Sequence, residues 1–269
     1  MTNVATIARG YLAKTFLCRF DCGRVSSRLA GGLAVLLATS FAVPAIPAWG
    51  GVFSVNPVRI YMVPKDRAVA VTIINEGDEE LVMQADVYVW KQKPGGEDDL
   101  TLSEDLFLSP PIIKLAAKSR QVVRLAMVSP PKTADQLTYR LIVREIPEAK
   151  PAKKDIQVQF AMAFSMPIFI TPPGAKGSLN CAVEREAVDM VRAVCENSGN
   201  AYAQPRAFML ATPAGGKIVD REIAGYILPG IKRSFDIKRA EGKIPAGRAK
   251  LVVTLDDGST QSYEVAIGD

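Results

Sequence analysis

Between Ile156 and Ile168 a large apolar side chain recurs at every second position: Ile156, Val158, Phe160, Met162, Phe164, Met166 and Ile168. The intervening positions are Gln157, Gln159, Ala161, Ala163, Ser165 and Pro167, mostly small or polar. This period of two predicts a strand with one buried face. At about 3.3 Å per residue it would run about 43 Å, far beyond the usual strand of about 5–6 residues. One sandwich domain cannot bury so long a row, so part of it is expected to cover something else.

The rest of the chain alternates in the same way. Strands are predicted over residues 68–74, 81–90, 112–115, 121–127 and 138–146. The turn Asn75 to Asp78 joins the first two as a hairpin, and residues 91–99 read as a polar, Gly-rich loop. Pro172, Pro173 and Gly174 break the pattern after the long strand and mark a hinge. Beyond the hinge come a cysteine-flanked hairpin and strands over 206–211, 217–223, 234–238, 250–256 and 262–267. No helix of ten residues is expected after the leader. The fold class is therefore all-β, with two immunoglobulin-like β-sandwich domains, residues 49–172 and 173–269.

The first 48 residues differ from all of this. Arg9, Lys14, Arg19, Arg24 and Arg28 stand against a single acid, Asp21, before the uncharged stretch from Leu29 to Ile46. A basic leader, an apolar run and a small-residue end describe a secretory signal, cut somewhere between residues 45 and 50. An uncleaved membrane anchor is the alternative, since 18 uncharged residues just reach the spanning range; the prolines and the Gly31–Gly32 pair count against it. Removing residues 1–48 lowers the net charge from +5 to about +1. The basic balance is thus a targeting feature, and nucleic-acid binding loses its support.

Cys18 and Cys22 lie in the leader, leaving Cys181 and Cys195 as the mature pair. In a hairpin symmetric about Val188 they face each other, at a separation that a disulfide can bridge. An oxidising compartment favours that bond over a redox or metal role.

The sequence has no histidine, which excludes Ser-His-Asp and Cys-His catalysis and imidazole metal sites. Ser129 and Lys132 match an SxxK spacing, but Pro130 and Pro131 prevent the helical turn that would join them. The acidic pairs Glu79–Glu80, Asp98–Asp99 and Asp256–Asp257 sit in turn-like contexts and read as solvated turns. No catalytic residue, metal ligand or cofactor site is expected, and the chain does not read as an enzyme.

Several short segments occur in an order that resembles the PapD-like periplasmic chaperones of the chaperone–usher pathway. They are NPVR ending at Arg59, Asn75 after a strand, SPPI from Ser109, QVVRL from Gln121 and REIP from Arg144. The resemblance covers about residues 53–172; the second domain matches only in size and strand content. It implies two sandwiches in an L-shaped arrangement and a periplasmic chaperone of fimbrial or pilus subunits. Such a chaperone donates a strand to the incomplete sandwich of its subunit and delivers it to an outer-membrane usher. Ile156, Val158, Phe160 and Met162 would be the donated residues, with Phe164, Met166 and Ile168 nearer the chaperone's own core.

The resemblance also implies an anchor for the subunit's C-terminal carboxylate, built from an Arg and a Lys in the interdomain cleft. Arg59 matches the Arg. The Lys position holds Pro167, which suggests a divergent, archaic-type branch, and Arg140 is the candidate replacement cation. Arg124 and Glu145 match positions of structural or interdomain charge, with Asp256 or Asp257 as a partner from the second domain. The loop of residues 148–155 resembles that of the short-loop chaperones. The resemblance also admits a self-capping homodimer of the free molecule, with the donor strand covered by a second copy. Two other readings are a secreted immunoglobulin-like structural or adhesive pilus component, and a sandwich hydrolase. Residues 50–55 are too short and too weakly alternating for the donor extension that the first requires, and the second lacks a reactive constellation.

Overall fold

The computed structural model describes residues 53–147 and 161–268. These residues contain strands, turns and coil, with no helix among them. Ten strands precede the Pro172–Gly174 break. They are β1 (Phe53–Asn56), β2 (Ile60–Met62), β3 (Ala68–Asn75), β4 (Leu81–Gln92), β5 (Asp98–Leu102), β6 (Leu106–Ser109), β7 (Ile112–Leu115), β8 (Arg120–Met127), β9 (Leu137–Glu145) and β10 (Ala163–Ile170). Seven follow it: β11 (Leu179–Ala187), β12 (Met190–Asn197), β13 (Pro205–Ala211), β14 (Lys217–Glu222), β15 (Lys232–Lys238), β16 (Gly247–Leu255) and β17 (Thr260–Ile267).

The first sandwich faces a sheet ordered β1-β3-β8-β6 against one ordered β2-β10-β9-β4-β5, with β7 also paired to β4. Its core is the inward row of every strand but β5, including Val71, Ile73, Met83, Ile113, Leu125, Leu141, Val143, Met166 and Ile168. The second sandwich packs β11-β12-β15 on β14-β13-β16-β17. Val191, Phe208, Leu210, Ile237, Leu251 and Val253 fill its core.

Cys181 and Cys195 form the expected disulfide, directly opposed in the β11–β12 hairpin. The pairing is symmetric about Val188 until a register shift near Arg185.

Two expectations are corrected. The turn after Asn75 does not join a hairpin: β3 pairs with β1 and β8, while β4 lies in the opposite sheet. The reason is the Asn75 side chain, which is fully buried. Its amide donates to the carbonyls of Glu79, Leu115 and Ala116, and its oxygen accepts from Gly77 N. Those bonds tie the turn to the distant β7 end and carry the chain from one sheet to the other. The second correction concerns residues 91–99, where only the tip is a turn. Asp98 to Leu102 add a strand to the edge beside β4, and every one of its residues is exposed. That exposure hides the buried-face signal by which strands are read from sequence.

The long alternating row is only partly visible. Ile156, Val158 and Phe160 lie outside the described residues. Met162 is 40% exposed, and its carbonyl accepts from Glu145 N. From Phe164 the row turns inward: Phe164 packs edge-on against Phe53 with ring centroids 4.8 Å apart, and Met166, Ile168 and Ile170 are buried. The opposite face of β10 is buried as well from Pro167 onward. Phe169, fully buried, joins Trp90 and Leu228 in a small third cluster between the two sandwiches, flanked by Tyr202, Tyr226 and Ile231. The period of two therefore gives way, at Pro167–Ile170, to a strand covered on both faces.

Candidate functional site: the cleft between the sandwiches

Phe169 sets the floor of the cleft. Its ring stacks on Tyr202 at 4.1 Å and on Tyr61 at 5.8 Å, and lies 5.6 and 6.1 Å from Tyr226 and Trp90. Aromatic pairs at these spacings contribute beyond their buried area. Polar bridges hold the two sandwiches at the same level. Gln92 donates to Tyr226 O and accepts from Leu228 N. Gln136 accepts from Tyr202 N and donates to Thr171 Oγ1.

Above this floor stand two arginines. Arg59 immediately precedes β2, whose first residue Ile60 pairs in parallel with Ile168. Arg140 lies on β9 directly opposite Pro167. The two cations thus flank Pro167 from the neighbouring strands. The guanidinium carbons of Arg59 and Arg140 lie 5.7 and 5.9 Å from the centre of the Tyr226 ring, within the range of a cation–π contact.

Each arginine is held by an acid. Arg59 Nη1 meets Asp256 Oδ2 at 3.1 Å, and the Tyr202 hydroxyl donates to the same oxygen at 3.2 Å. The Tyr61 and Tyr202 hydroxyls share a further bond of 3.1 Å. Hydrogen bonding with Tyr61 raises the Arg59 pKa above its ordinary value, against the opposing pull of burial. Arg140 is more enclosed, lying 3.8 Å from the Trp90 ring centre with Nη2 3.2 Å from Asp98 Oδ2. Burial lowers its pKa, and the nearby Asp98 offsets that only in part. Asp98 also accepts from the Trp90 indole and from Gln92. The aspartates read as solvated turns thus include two that organise the cleft.

The remaining sequence-selected residues lie elsewhere. Arg124 is exposed on β8, between Ala70 and Ser109 on the adjacent strands. Glu145 ends β9 opposite Met83, next to Met162. Among the described residues the ion pair between the two sandwiches is Arg59–Asp256, so one of the two acids suggested as a partner from the second domain meets Arg59 itself. Sequence reasoning passed over Asp98 as a cleft residue, along with Tyr61, Tyr202, Tyr226 and Gln204. Tyr61 alone carried a local signal: it stands two residues from Arg59, hence on the same side of an extended chain.

On the second domain's side, Arg59 and Tyr61 open onto a cleft of about 670 Å³, walled by Lys176, Tyr202, Gln204, Asp256 and Asp257 among others. Among the described residues no cluster of ligating side chains could hold a metal ion. What the geometry offers is a pair of cations on an aromatic floor, suited to an anionic group.

Comparison with known proteins agrees with this architecture. The family profile "Pili and flagellar-assembly chaperone, PapD N-terminal domain" matches residues 52–176. Among curated proteins no sequence matches. Among solved structures, a chain of the CsuC–CsuE chaperone–tip adhesion subunit pre-assembly complex, from archaic chaperone–usher Csu pili of Acinetobacter baumannii, superposes with a TM-score of 0.57. It is 22% identical, with 81% of this chain and 100% of that one covered. The E. coli chaperone DraB gives a TM-score of 0.53 at 19% identity, covering 82% and 98%. The YadV chaperone gives 0.55 at 18%, covering 79% and 98%. At these identities the likeness is one of fold.

Proposed function

We propose that this chain, whose residues 52–176 match the profile of the pili and flagellar-assembly chaperones with a PapD N-terminal domain, binds and caps fimbrial subunits in the periplasm. It does so by donor-strand complementation, after which the subunits pass to an outer-membrane usher. The observation that carries this reading is the placement of two cations, Arg59 just ahead of β2 and Arg140 on β9, the strands either side of Pro167, with guanidinium carbons 5.7 and 5.9 Å from the Tyr226 ring centre. A client's terminal carboxylate that replaced Asp256 on Arg59 would have Arg140 as its second cation, in place of the family's lysine.

The strand leading away from the cleft supports the same reading. From Phe164 onward the apolar row belongs to the chain's own core, whereas Met162 is 40% exposed. Ile156, Val158, Phe160 and Met162 continue the row and are the residues offered to a client. Each buried side chain of this size is worth about 1.5–3 kcal/mol, and an uncovered strand edge otherwise invites aggregation. The free protein covers the same row by pairing with a second copy. No chemistry or cofactor is required.

Co-purification from the periplasm with fimbrial subunits of its own organism tests this. A one-to-one complex is expected for the wild type and its loss for Arg59→Ala. A complex that survives Arg59→Ala moves the anchor elsewhere. No complex with any subunit overturns the chaperone reading in favour of a secreted structural pilus component.

A further inference from the structure

Gln204 is 4% exposed and stands in the wall of the interdomain cleft, just before β13. Its amide oxygen is buried, and among the described residues no donor reaches it. A buried carbonyl left unpaired costs about 1–3 kcal/mol, and native proteins leave few. The rest of that wall is also rich in acceptors. Asp257 lines the cleft with its carboxylate held by the Ser259 hydroxyl and backbone amide, bonds that lower its pKa. Asp256 lines it too, and its partner is Arg59.

A carboxylate arriving on Arg59 changes this balance. Asp256 would then keep only the Tyr202 hydroxyl and share the wall with Gln204 and Asp257. Lys176 is the other cation that lines the cleft. At the mouth Tyr61 is 54% exposed, an aromatic surface on which an aliphatic stem can lie.

We propose that this cleft is a side-chain subsite for a basic residue at the client's C-terminus. The terminal carboxylate sits on Arg59, the stem passes Tyr61, and the ammonium or guanidinium group donates to Gln204 Oε1 and Asp256. The proposal rests on the carboxylate-anchor reading and adds to it the identity of the residue that bears the carboxylate. Charge-assisted bonds to a buried acceptor give such a site its selectivity.

Three small probes separate the parts: N-acetyl-L-lysine, N-acetyl-L-norleucine, which keeps the stem without the ammonium, and N-acetyl-L-lysine methyl ester, which lacks the carboxylate. Each is titrated into the ¹⁵N-labelled protein, following the Gln204 side-chain amide and the Arg59 Nε–H. N-acetyl-lysine is expected to bind about tenfold more tightly than N-acetyl-norleucine, the worth of one bond to a charged group, and to shift the Gln204 amide. Gln204→Leu should abolish that preference while norleucine binding persists. Asp257→Asn, an exposed substitution that leaves the fold alone, should reduce it. Equal affinities for the two acids in the wild type overturn the subsite. So does a preference that survives in both variants, and so does an absence of binding by any probe. An ester that binds as tightly as the acid and still shifts Gln204 keeps the subsite and overturns the anchor at Arg59.

Discussion

Arg59 and Asp256, 197 residues apart in the chain, close an ion pair across the cleft at 3.1 Å. Their side chains are 26% and 19% exposed, and a pair so placed contributes at most about 1 kcal/mol. An incoming carboxylate therefore has little to displace. Asp256→Asn removes the internal competitor, so capture of a client, or of a simple carboxylate such as N-acetyl-norleucine, should tighten about fivefold. The cost should be a small loss of thermal stability. Calorimetric titration beside a melting curve checks both; unchanged affinity would mean that Asp256 does not compete for the anchor.

Arg140 has a different environment. Wedged on Trp90 and held by Asp98, it is 15% exposed and bonded within its own sandwich. Arg140→Ala should weaken client capture by about tenfold or more, the worth of a hydrogen bond to a charged group. It should also lose about 1 kcal/mol of stability with the cation–π contact. Asp98→Asn should leave capture intact or improve it, because the guanidinium stays and its rival leaves. Loss of capture equal to that of Arg140→Ala would show that Asp98 holds Arg140 in its working position. Full capture by Arg140→Ala would remove it from the anchor.

Much of this fold is written in local alternation. Residues 121–127 and 138–146 announce their strands because each has one face in the core, and the opposed cysteines follow from hairpin symmetry. The all-β class was legible on those grounds, and the resemblance to pilus chaperones on the ordered short segments between Asn56 and Pro147. What local pattern could not convey depends on distant contacts. Asn75 looks like the turn of a hairpin, and only carbonyls about forty residues away turn it into a passage between sheets. Phe169 falls on the quiet side of the alternating row and is buried because the second sandwich covers it. Asp98 and Asp256, each beside a second Asp in a polar stretch, resemble solvated turns until the fold sets an arginine against each. Arg59 and Arg140 were legible as cations, but their common relation to Pro167 appears only in the register of β2, β10 and β9.

Phe160 and Phe164 lie four residues apart on one alternating row and should respond oppositely. Phe164 packs on Phe53 and the first core. Phe164→Ala should therefore cost about 3 kcal/mol of stability, the low end for removing such a ring. Phe160→Asp should abolish client capture with little change in melting temperature, since a client's apolar groove cannot pair a charge. Comparing denaturation midpoints with co-purification for the two variants decides the matter. If Phe160→Asp unfolds the chain as Phe164→Ala does, the donated segment belongs to the chain's own core.

Alkaline pH should loosen the cleft in a way traceable to its tyrosines. Burial raises the pKa values of Tyr139, Tyr202, Tyr226 and Tyr263 in the fold. Tyr139 is raised further by Asp105, and Tyr202 by its bond with Tyr61 and by the charge of Asp256. In the unfolded chain these phenols ionise near pH 10. Above that pH the unfolded state has released protons that the native state retains, so unfolding becomes easier as pH rises. Their contribution to stability is present in full below about pH 10 and disappears as the pH climbs through the raised values. Tyr202→Phe should cost about 1 kcal/mol at neutral pH, by deleting its bonds with Asp256 and Tyr61. Above pH 10 the variant should lose stability less steeply than the wild type, because one of the titrating groups is gone. Urea midpoints of both proteins across that range measure the two slopes. Parallel curves would show that Tyr202 ionises as freely in the fold as outside it, and would undo the picture of a closed aromatic floor beneath the anchor.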